Sequence, residues 1–87
     1  MTYSLEQNYP NPFNPATTIN FNLPHAEQVK IDMLNIRGQK VQQLVNDAMP
    51  AGRHQVVFNA QHLSSGIYFY VIDAGRFHQV RKMILLK

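Results

Sequence analysis

The side chains that most often act as acids, bases or metal ligands are few and scattered in this sequence. There are five acidic residues and four histidines, namely Glu6, Glu27, Asp32, Asp47, Asp73, His25, His54, His62 and His78. No two histidines have the His-x-His or His-x-x-x-His spacing with which one strand or helix presents two metal ligands. Glycoside hydrolysis needs two carboxyl groups flanking a cleft, and a chain of 87 residues has little room for one. The sequence therefore predicts no catalytic acid–base pair, no metal site and no cofactor.

Motifs for nucleophilic catalysis and phosphate binding are absent as well. Ser64 and Ser65 precede Gly66, but the pattern Gly-x-Ser-x-Gly and its strand-to-helix context are missing, so this tripeptide indicates a polar turn before a strand. The chain has no glycine-rich phosphate loop. Because it has no cysteine, disulfides and thiolate-bound metals are excluded. These absences argue against an enzyme.

Charge and aromatic content limit which ligands the chain would bind. The formal net charge is +3, but only 8 of the 87 residues are Lys or Arg, and Arg81-Lys82 is the one adjacent pair. Nucleic-acid binding needs many cations on one face, so it is not predicted. Exposed aromatic rings can stack on sugars, and the chain has four tyrosines and five phenylalanines but no tryptophan. A carbohydrate-binding or spacer module of a secreted glycoside hydrolase therefore stays open as the alternative function.

The elements that position these residues are predicted to be β-strands, because apolar residues recur at every second position. Ile19, Phe21 and Leu23 alternate with asparagines, and Val29 and Ile31 follow the same rule. Short strands of this kind, separated by turn signals, predict an all-β antiparallel sandwich of about six or seven strands. The predicted strands cover residues 17–23, 28–35, 39–45, 53–59, 66–74 and 77–86.

Two stretches admit more than one interpretation. Val41, Leu44 and Val45 fit one face of a helix, but residues 39–45 are few and lie between two turn signals, so a strand is favoured. The run Ile67–Ile72 is apolar on both faces and rich in β-branched and aromatic residues. Such a run predicts a central strand that is covered on both sides.

The predicted core and turns follow from the same pattern. Asn35–Gly38 is expected to form a tight hairpin turn in which Gly38 adopts a positive φ, and residues 46–52 are expected to form a longer loop. His54 shares a strand face with Phe58, so we expect its side chain to be partly buried and hydrogen-bonded. Six residues are expected to face the core together, namely Tyr68, Tyr70, Ile72, Ile31, Met33 and Phe58.

The N-terminal segment, residues 1–16, is rich in proline and asparagine. Its centre, Tyr9-Pro10-Asn11-Pro12-Phe13-Asn14-Pro15, contains three prolines in seven residues. Proline fixes its own φ and restrains the residue before it to extended geometry, so the segment is stiff and loses little entropy when it docks. We expect it to pack on the sandwich, with Tyr9 and Phe13 closing the edge between the two sheets.

The length of the chain and its N-terminus bear on domain organisation. A chain of 87 residues is predicted to form one domain, residues 1–87, with one modest core. No apolar run approaches the roughly 20 residues that a membrane helix needs, so no membrane span is predicted. The N-terminus also lacks the basic and apolar regions of a signal peptide. If the protein is exported, the sequence therefore predicts that this chain is a piece of a longer one.

Several motifs occur along the chain in an order that is specific to one family. They are Tyr3–Pro15 followed by Thr17-Thr18-Ile19, Val29-Lys30-Ile31 leading to Asn35–Val41, Pro50–His54 followed by Val56-Val57-Phe58, Leu63–Tyr70 and Lys82–Lys87. In this order they resemble the C-terminal sorting domain of the type IX secretion system, type A, which proteins of the Bacteroidetes and related phyla carry. The resemblance covers essentially the whole chain. Parts of the pattern also resemble an immunoglobulin-like domain of flagellar hook-cap proteins, which implies an immunoglobulin-like β-sandwich.

The resemblance to sorting domains implies a function as an address. Such a domain follows N-terminal cargo domains in the same parent chain and is recognised in its folded state by an outer-membrane translocon. A sortase-like peptidase then removes it in some members, and the cargo is attached to the cell surface. The expected location is the periplasm in transit, followed by the cell surface or the medium. The chain is thus expected to be a non-catalytic secretion signal and attachment domain.

The resemblance also implies where recognition takes place. The last strand, 77–86, is expected at a sheet edge, because it is added last, and unpaired backbone groups at an edge can extend the sheet of a partner. The residues expected to carry recognition are Pro10, Asn11, Pro12, Phe13, Asn14, Pro15, Gly66, Tyr68, Lys82, Met83 and Lys87. The alternative for the last strand is that Met83, Ile84, Leu85 and Leu86 close the core, with the charges of Lys82 and Lys87 keeping the edge soluble; both roles can hold together.

Overall fold

The structure, a computed structural model, describes residues 2–87 and shows seven β-strands and no helix in that range. In chain order the strands are β1 (Ser4–Leu5), β2 (Ala16–Leu23), β3 (Glu27–Leu34), β4 (Lys40–Met49), β5 (Gly52–Asn59), β6 (Gly66–Ala74) and β7 (Phe77–Leu85).

The strands form two sheets in which every neighbouring pair is antiparallel. One sheet has three strands in the order β1-β2-β5, and the other has four in the order β4-β3-β6-β7. The two sheets share one hydrophobic core. The predicted all-β antiparallel sandwich is therefore confirmed, and β7 lies at a sheet edge as expected.

The core consists of the inward-facing residues of the alternating strands. Strand β2 buries every second residue from Thr17 to Leu23, and β3 does the same from Val29 to Met33. All six residues predicted to face the core are buried. Because fully burying one such side chain contributes about 1.5–3 kcal/mol, the alternation fixes which face of each strand points inward.

Strand β4 is longer than predicted, and the loop after it is shorter. The stretch 46–49 was expected to form a loop but continues β4 and pairs with the start of β3, where Asn46 lies opposite Lys30. Met49 packs against the core, which accounts for the extension. The connection to β5 is then made within a few residues, because Gly52 adopts a φ of +128°.

The expectation that β6 is covered on both faces is wrong. Its inner face is buried, but on the outer face Ile67 is 43 % exposed and Phe69 and Val71 are only half-buried. No other element among residues 2–87 covers this outer face, because a two-layer sandwich leaves it to solvent. The outer apolar residues are shielded mainly by their cross-strand neighbours, Leu34 opposite Phe69 and Val80 opposite Val71.

The hairpin between β3 and β4 has the predicted turn. Gly38 adopts a φ of +81°, and its N–H donates to the carbonyl oxygen of Asn35 at 3.0 Å. The side-chain oxygen of Asn35 accepts from the backbone N–H groups of Arg37 at 2.9 Å and Gln39 at 3.0 Å. Asparagine before a glycine turn therefore holds the hairpin closed through its own side chain.

Candidate functional site

The residues expected to carry recognition come together in space although they are far apart in sequence. Phe13 forms a parallel bridge with Leu85 near the end of β7, and Gly66 at the start of β6 lies directly opposite the same Leu85. Tyr68 and Met83 are cross-strand partners one step further along. We call this surface the terminal corner, formed by residues 10–15, 66–68 and 82–87.

The N-terminal segment reaches the terminal corner by crossing from one sheet to the other. Tyr9 pairs with Thr18 of the three-stranded sheet through two backbone hydrogen bonds of 2.9 and 3.0 Å. Four residues later the N–H of Phe13 donates to Ile84 in the four-stranded sheet at 2.9 Å, and its carbonyl oxygen accepts from the N–H of Leu86 at 3.0 Å. The segment therefore joins both sheets along one side of the sandwich.

Two further contacts place this segment along the edge of β7. The side-chain oxygen of Asn11 accepts from the N–H of Ile84 at 2.9 Å, and the Gln7 amide donates to the carbonyl oxygen of Lys82 at 2.7 Å. The C-terminal half of the β7 edge is thus occupied by the chain's own N-terminal segment. An edge that is already paired cannot add a strand from another chain without displacing that segment.

The two aromatic residues of the segment behave differently from each other. Phe13 is buried, at 2 % exposed, and its ring lies edge-on to Phe58 with a centroid separation of 6.5 Å. Tyr9 is 78 % exposed, so the expectation that it also closes the edge is wrong. Because Tyr9 pairs with Thr18 through its backbone and neighbouring side chains alternate, Asn8 takes the buried position instead.

A buried polar network holds the beginning of this segment. The hydroxyl of Tyr70 donates to the carbonyl oxygen of Glu6 at 2.7 Å and accepts from the backbone N–H of Asn8 at 2.8 Å. Burial raises the pKa of Tyr70 to about 12, although the Asn8 N–H and the charge of Arg81 act to lower it. The phenol therefore stays neutral and able to donate over the physiological range.

The side chain of Asn8 extends the network to the first proline. Its amide donates to the hydroxyl of Thr17 at 2.9 Å and to the carbonyl oxygen of Pro10 at 3.2 Å. The Thr17 hydroxyl donates to the same carbonyl at 2.9 Å. Sequence reasoning missed Asn8 and Thr17. The available signal was the place of Asn8 directly before a proline-rich run: because proline has no N–H to donate, side chains must donate to the carbonyl groups of that run.

Three of the predicted recognition residues are buried and have structural partners. Phe13 and Met83 lie in the core, and the Tyr68 hydroxyl donates to the carbonyl oxygen of Ser64 at 2.7 Å. Their side chains lie beneath the surface of the terminal corner and support it. Pro15 is half-buried, and the members that face solvent are Pro10, Asn11, Pro12, Asn14, Gly66, Lys82 and Lys87.

The two lysines of the terminal corner differ in their contacts. The ammonium of Lys87 donates to the carbonyl oxygen of Gln61 at 2.6 Å, and its backbone N–H donates to the hydroxyl of Ser65 at 3.0 Å. These bonds tie the last residue to the loop before β6. Lys82 is exposed, and its ammonium has neither a carboxylate nor another acceptor within residues 2–87.

The chemistry-bearing side chains elsewhere remain dispersed. Within residues 2–87 no three histidine or acidic side chains come close enough to hold a metal ion, and the surface encloses no pocket. His54 is partly buried as predicted: its Nε2 lies 2.7 Å from the carbonyl oxygen of Pro50 and its ring stacks on Phe21.

The aromatic rings do not form a stacking platform. Among residues 2–87, Tyr9 is the one aromatic side chain that is mostly exposed; Tyr3 and Phe77 are half-buried and stack on each other with a centroid separation of 4.9 Å. Sugar recognition by stacking needs a ring face that is free to solvent. The structure therefore offers one isolated ring for that purpose.

Comparison with known proteins bears on the whole chain. None of the described residues forms a helix of the length and apolarity that a membrane span requires. No curated protein matches the sequence. Residues 7–86, however, match the model of the family described as the secretion system C-terminal sorting domain. That match includes every residue of the terminal corner except Lys87. The chain therefore belongs to the family of type IX secretion system C-terminal sorting domains, whose members are sorting signals for export to the cell surface or secretion.

Proposed function

We propose that the chain is a non-catalytic address at the C-terminal end of a larger exported protein, and that the terminal corner is the surface that the outer-membrane translocon binds. Family membership supports the role as a sorting signal. The convergence of residues 10–15, 66–68 and 82–87 on one surface supports the choice of that surface.

The observation that carries the proposal is the clamp between the N-terminal segment and the last strand. Phe13 bonds to both Ile84 and Leu86, and Asn11 bonds to Ile84, across more than 70 positions of sequence. A surface made in this way exists only when the domain is folded. The translocon would thus bind cargo whose last domain has already folded, and unfolded chains would lack the address.

The position of the N-terminus suits this role. Tyr3 stacks on Phe77 at the start of β7 while Ser4 and Leu5 pair with β2, and the segment then advances in the direction of β7 and reaches its edge at Gln7 and at Asn11–Phe13. A cargo domain joined before Thr2 is therefore attached at the opposite end of β7 from the terminal corner. It leaves that corner free for the translocon.

The same geometry bears on removal of the domain by a sortase-like peptidase. Backbone pairing begins at Ser4 and Leu5, which lie opposite Asn22 and Phe21. A peptidase needs an extended and unpaired substrate, so we expect cleavage upstream of Ser4 while the domain stays folded. The cargo would then be attached to the surface without this domain.

A reporter-fusion experiment tests the proposal. The chain is fused behind a signal peptide and a reporter enzyme in a host that has a type IX secretion system, and surface and periplasmic activity are measured. We expect the unmodified fusion at the surface and the reporter without the domain in the periplasm. Equal surface activity with and without the domain would refute the sorting function.

A pair of substitutions tests the surface. Asn14→Arg adds charge and bulk at the terminal corner, and Gln55→Arg makes the same change on the exposed side of β5; neither side chain makes a hydrogen bond within residues 2–87. We expect the first to retain the reporter in the periplasm and the second to behave like the unmodified fusion. Equal export of the two would show that the translocon binds another surface.

A further inference from the structure

The edge of β7 is only half covered. In an antiparallel ladder, alternate residues direct both backbone groups to the same side. The N–H and the carbonyl of Ile84 and the N–H of Leu86 are bonded to the N-terminal segment. The backbone N–H and C=O groups of the even-numbered residues of β7 therefore point away from β6. The backbone groups of His78 and Val80 and the N–H of Lys82 therefore point outward, and none has a partner among residues 2–87.

The other edges of the two sheets are less suited to extension at this site. Strand β4 has register shifts at Asp32 and Leu34 of its partner, and such irregularities interrupt the regular spacing that an added strand needs. Strand β1 has two residues. Strand β5 also offers a regular edge, and the chain just after it reaches the terminal corner, where the N–H of Ala60 donates to the carbonyl oxygen of Pro15, but the one cationic side chain of β5, Arg53, already faces Glu6. The open stretch of β7 continues directly into that corner.

The side chains beside this open stretch indicate what would pair with it. Val80 is 49 % exposed on the outer face of the sheet, between His78 and Lys82. Lys82 lies opposite the apolar Phe69, and no carboxylate lies near its ammonium. His78 is already paired with Asp73. A complementary strand would therefore carry an apolar residue facing Val80 and an acidic residue facing Lys82.

We propose that the outer edge of β7 at residues 78–82 is a strand-addition site, at which an extended segment of the translocon with an acidic residue joins the four-stranded sheet. This inference rests on the proposed sorting function and names the mode of binding. The N-terminal segment then has a second role, since it blocks the C-terminal half of the edge and restricts an incoming strand to residues 78–82. Backbone pairing supplies the binding energy, and Lys82 selects acidic partners.

Proline substitution tests the edge without removing a bond inside the sheet. The N–H of Val80 points outward, so Val80→Pro removes a donor for the added strand only. The matched control is Val57→Pro on β5. Its partner Thr18 directs both backbone groups to Tyr9, so the N–H of Val57 also points outward, and its side chain is 69 % exposed. Melting temperatures of both purified variants establish that they fold.

The fusion assay described above then gives distinct outcomes. We expect the Val80→Pro fusion to lose surface activity to the level of the reporter without the domain, and the Val57→Pro fusion to keep it. If the unmodified fusion is not exported, the sorting function itself fails. If the unmodified fusion and both proline variants are exported equally, strand addition at β7 is refuted while the sorting function stands.

A crosslinking measurement tests strand addition at β7 if Val80→Pro fails to fold. A photo-crosslinking amino acid replaces His78 in one fusion and Gln55, on the β5 edge, in another. When cells are irradiated during export, we expect the fusion with the photo-crosslinker at position 78 to be crosslinked to an outer-membrane translocon protein. We expect no such crosslink from the fusion with the photo-crosslinker at position 55. Crosslinks of equal yield from both positions, or from position 55 alone, would overturn the inference.

Discussion

At the scale of single residues, the structure depends on a few polar side chains placed inside the protein. Tyr70 is fully buried, and its hydroxyl bonds to the backbone of both Glu6 and Asn8. Asn8 in turn bonds to Thr17 and Pro10. Buried polar groups cost stability unless they are paired, so each member of this network depends on the others.

Replacing Tyr70 with phenylalanine tests the network. The substitution keeps the ring but leaves the carbonyl of Glu6 and the N–H of Asn8 without their partner. Leaving a buried group unpaired costs about 1–3 kcal/mol, and we expect the free energy of unfolding in urea to fall by that order. Tyr9→Phe, at an exposed hydroxyl, is the control and should leave unfolding unchanged. Equal unfolding curves for the two variants would contradict the assigned role.

The same phenol predicts a response to alkaline pH. The pKa of Tyr70 is about 12 in the folded protein, against 10.0 for an ordinary tyrosine, because burial disfavours the phenolate. Its contribution to stability is therefore complete below pH 10 and is lost as pH rises through 12. We expect the melting-temperature difference between the natural chain and Tyr70→Phe to narrow over that interval. A constant difference from pH 9 to pH 12 would exclude this linkage.

At the scale of elements, the N-terminal segment acts as the connection between the sheets. It includes one two-residue strand, yet it bonds to β2 at Tyr9 and to β7 at Phe13. Its contribution comes from these long-range bonds, from the buried side chains of Leu5 and Phe13 and from the hydrogen bonds of the buried Asn8. The domain therefore has an essential element with almost no regular secondary structure.

Substitutions at the two aromatic residues of the proline-rich run test how much this segment contributes to stability. Phe13→Ala removes a ring that is 2 % exposed, and large core truncations of this kind cost about 3–5 kcal/mol. Tyr9→Ala, at 78 % exposed, should change stability by less than about 0.5 kcal/mol. Urea unfolding of both variants provides the comparison. A loss of stability from Phe13→Ala as small as that expected from Tyr9→Ala would mean that the segment is held by its backbone bonds and not by Phe13.

The strands could be predicted because their signal is local. Alternation along β2 and β3 gave their positions and inward faces, the apolar run Ile67–Ile72 gave the position of β6, and all six expected core residues are buried. The end of β4 could not be predicted, since Asn46 and Asp47 are typical turn residues and only pairing with β3 keeps them extended. At that point the pairing with β3 overrides the local turn propensity.

The residues assigned to the candidate site stay a prediction from the sequence motifs, and their arrangement in space could not be predicted. The motifs pointed to Pro10–Pro15, Gly66, Tyr68 and the last residues, and the structure brings them together at one corner. Sequence reasoning had no means to find that Asn11 bonds to Ile84, because such contacts follow from the fold. It also had no means to show that half of the β7 edge is covered and half is open.

At the scale of the whole molecule, the domain is elongated, with principal extents of 37 × 23 × 17 Å. The long dimension agrees with the length of the strands, since β2 has eight residues and β4 has ten. The terminal corner occupies one end of β7, and the N-terminus enters beside Phe77 at the other. Under the proposed function, cargo joined before Thr2 would lie at the Phe77 end of β7, and the terminal corner would lie at the other end.

Charge reversal at the terminal corner tests whether its lysines belong to the address. Lys82→Glu with Lys87→Glu changes two exposed side chains and removes only the exposed bond of Lys87 to Gln61, so we expect the melting temperature to shift by no more than about 4 °C. In the fusion assay we expect the double variant to accumulate in the periplasm. Arg37→Glu with Lys40→Glu, in the hairpin between β3 and β4, is the charge-matched control. Full export of the first pair would exclude the lysines from recognition.

A sedimentation assay tests the alternative function in polysaccharide binding. Because Tyr9 is the one aromatic ring among residues 2–87 that is mostly exposed, we expect the purified domain to remain in the supernatant with insoluble xylan or cellulose. Saturable depletion that disappears on Tyr9→Ala would instead establish a carbohydrate-binding module.

The parallel course of the N-terminal segment and β7 has a mechanical consequence. If the terminal corner is held at the membrane while the cargo pulls on Thr2, the force runs along the strand axis. The contacts of Gln7, Asn11 and Phe13 with β7 would then be loaded together in shear, and none could be peeled away singly. Forced unfolding is governed by the unfolding rate, so this alignment should let the folded address resist tension while the cargo is drawn outward.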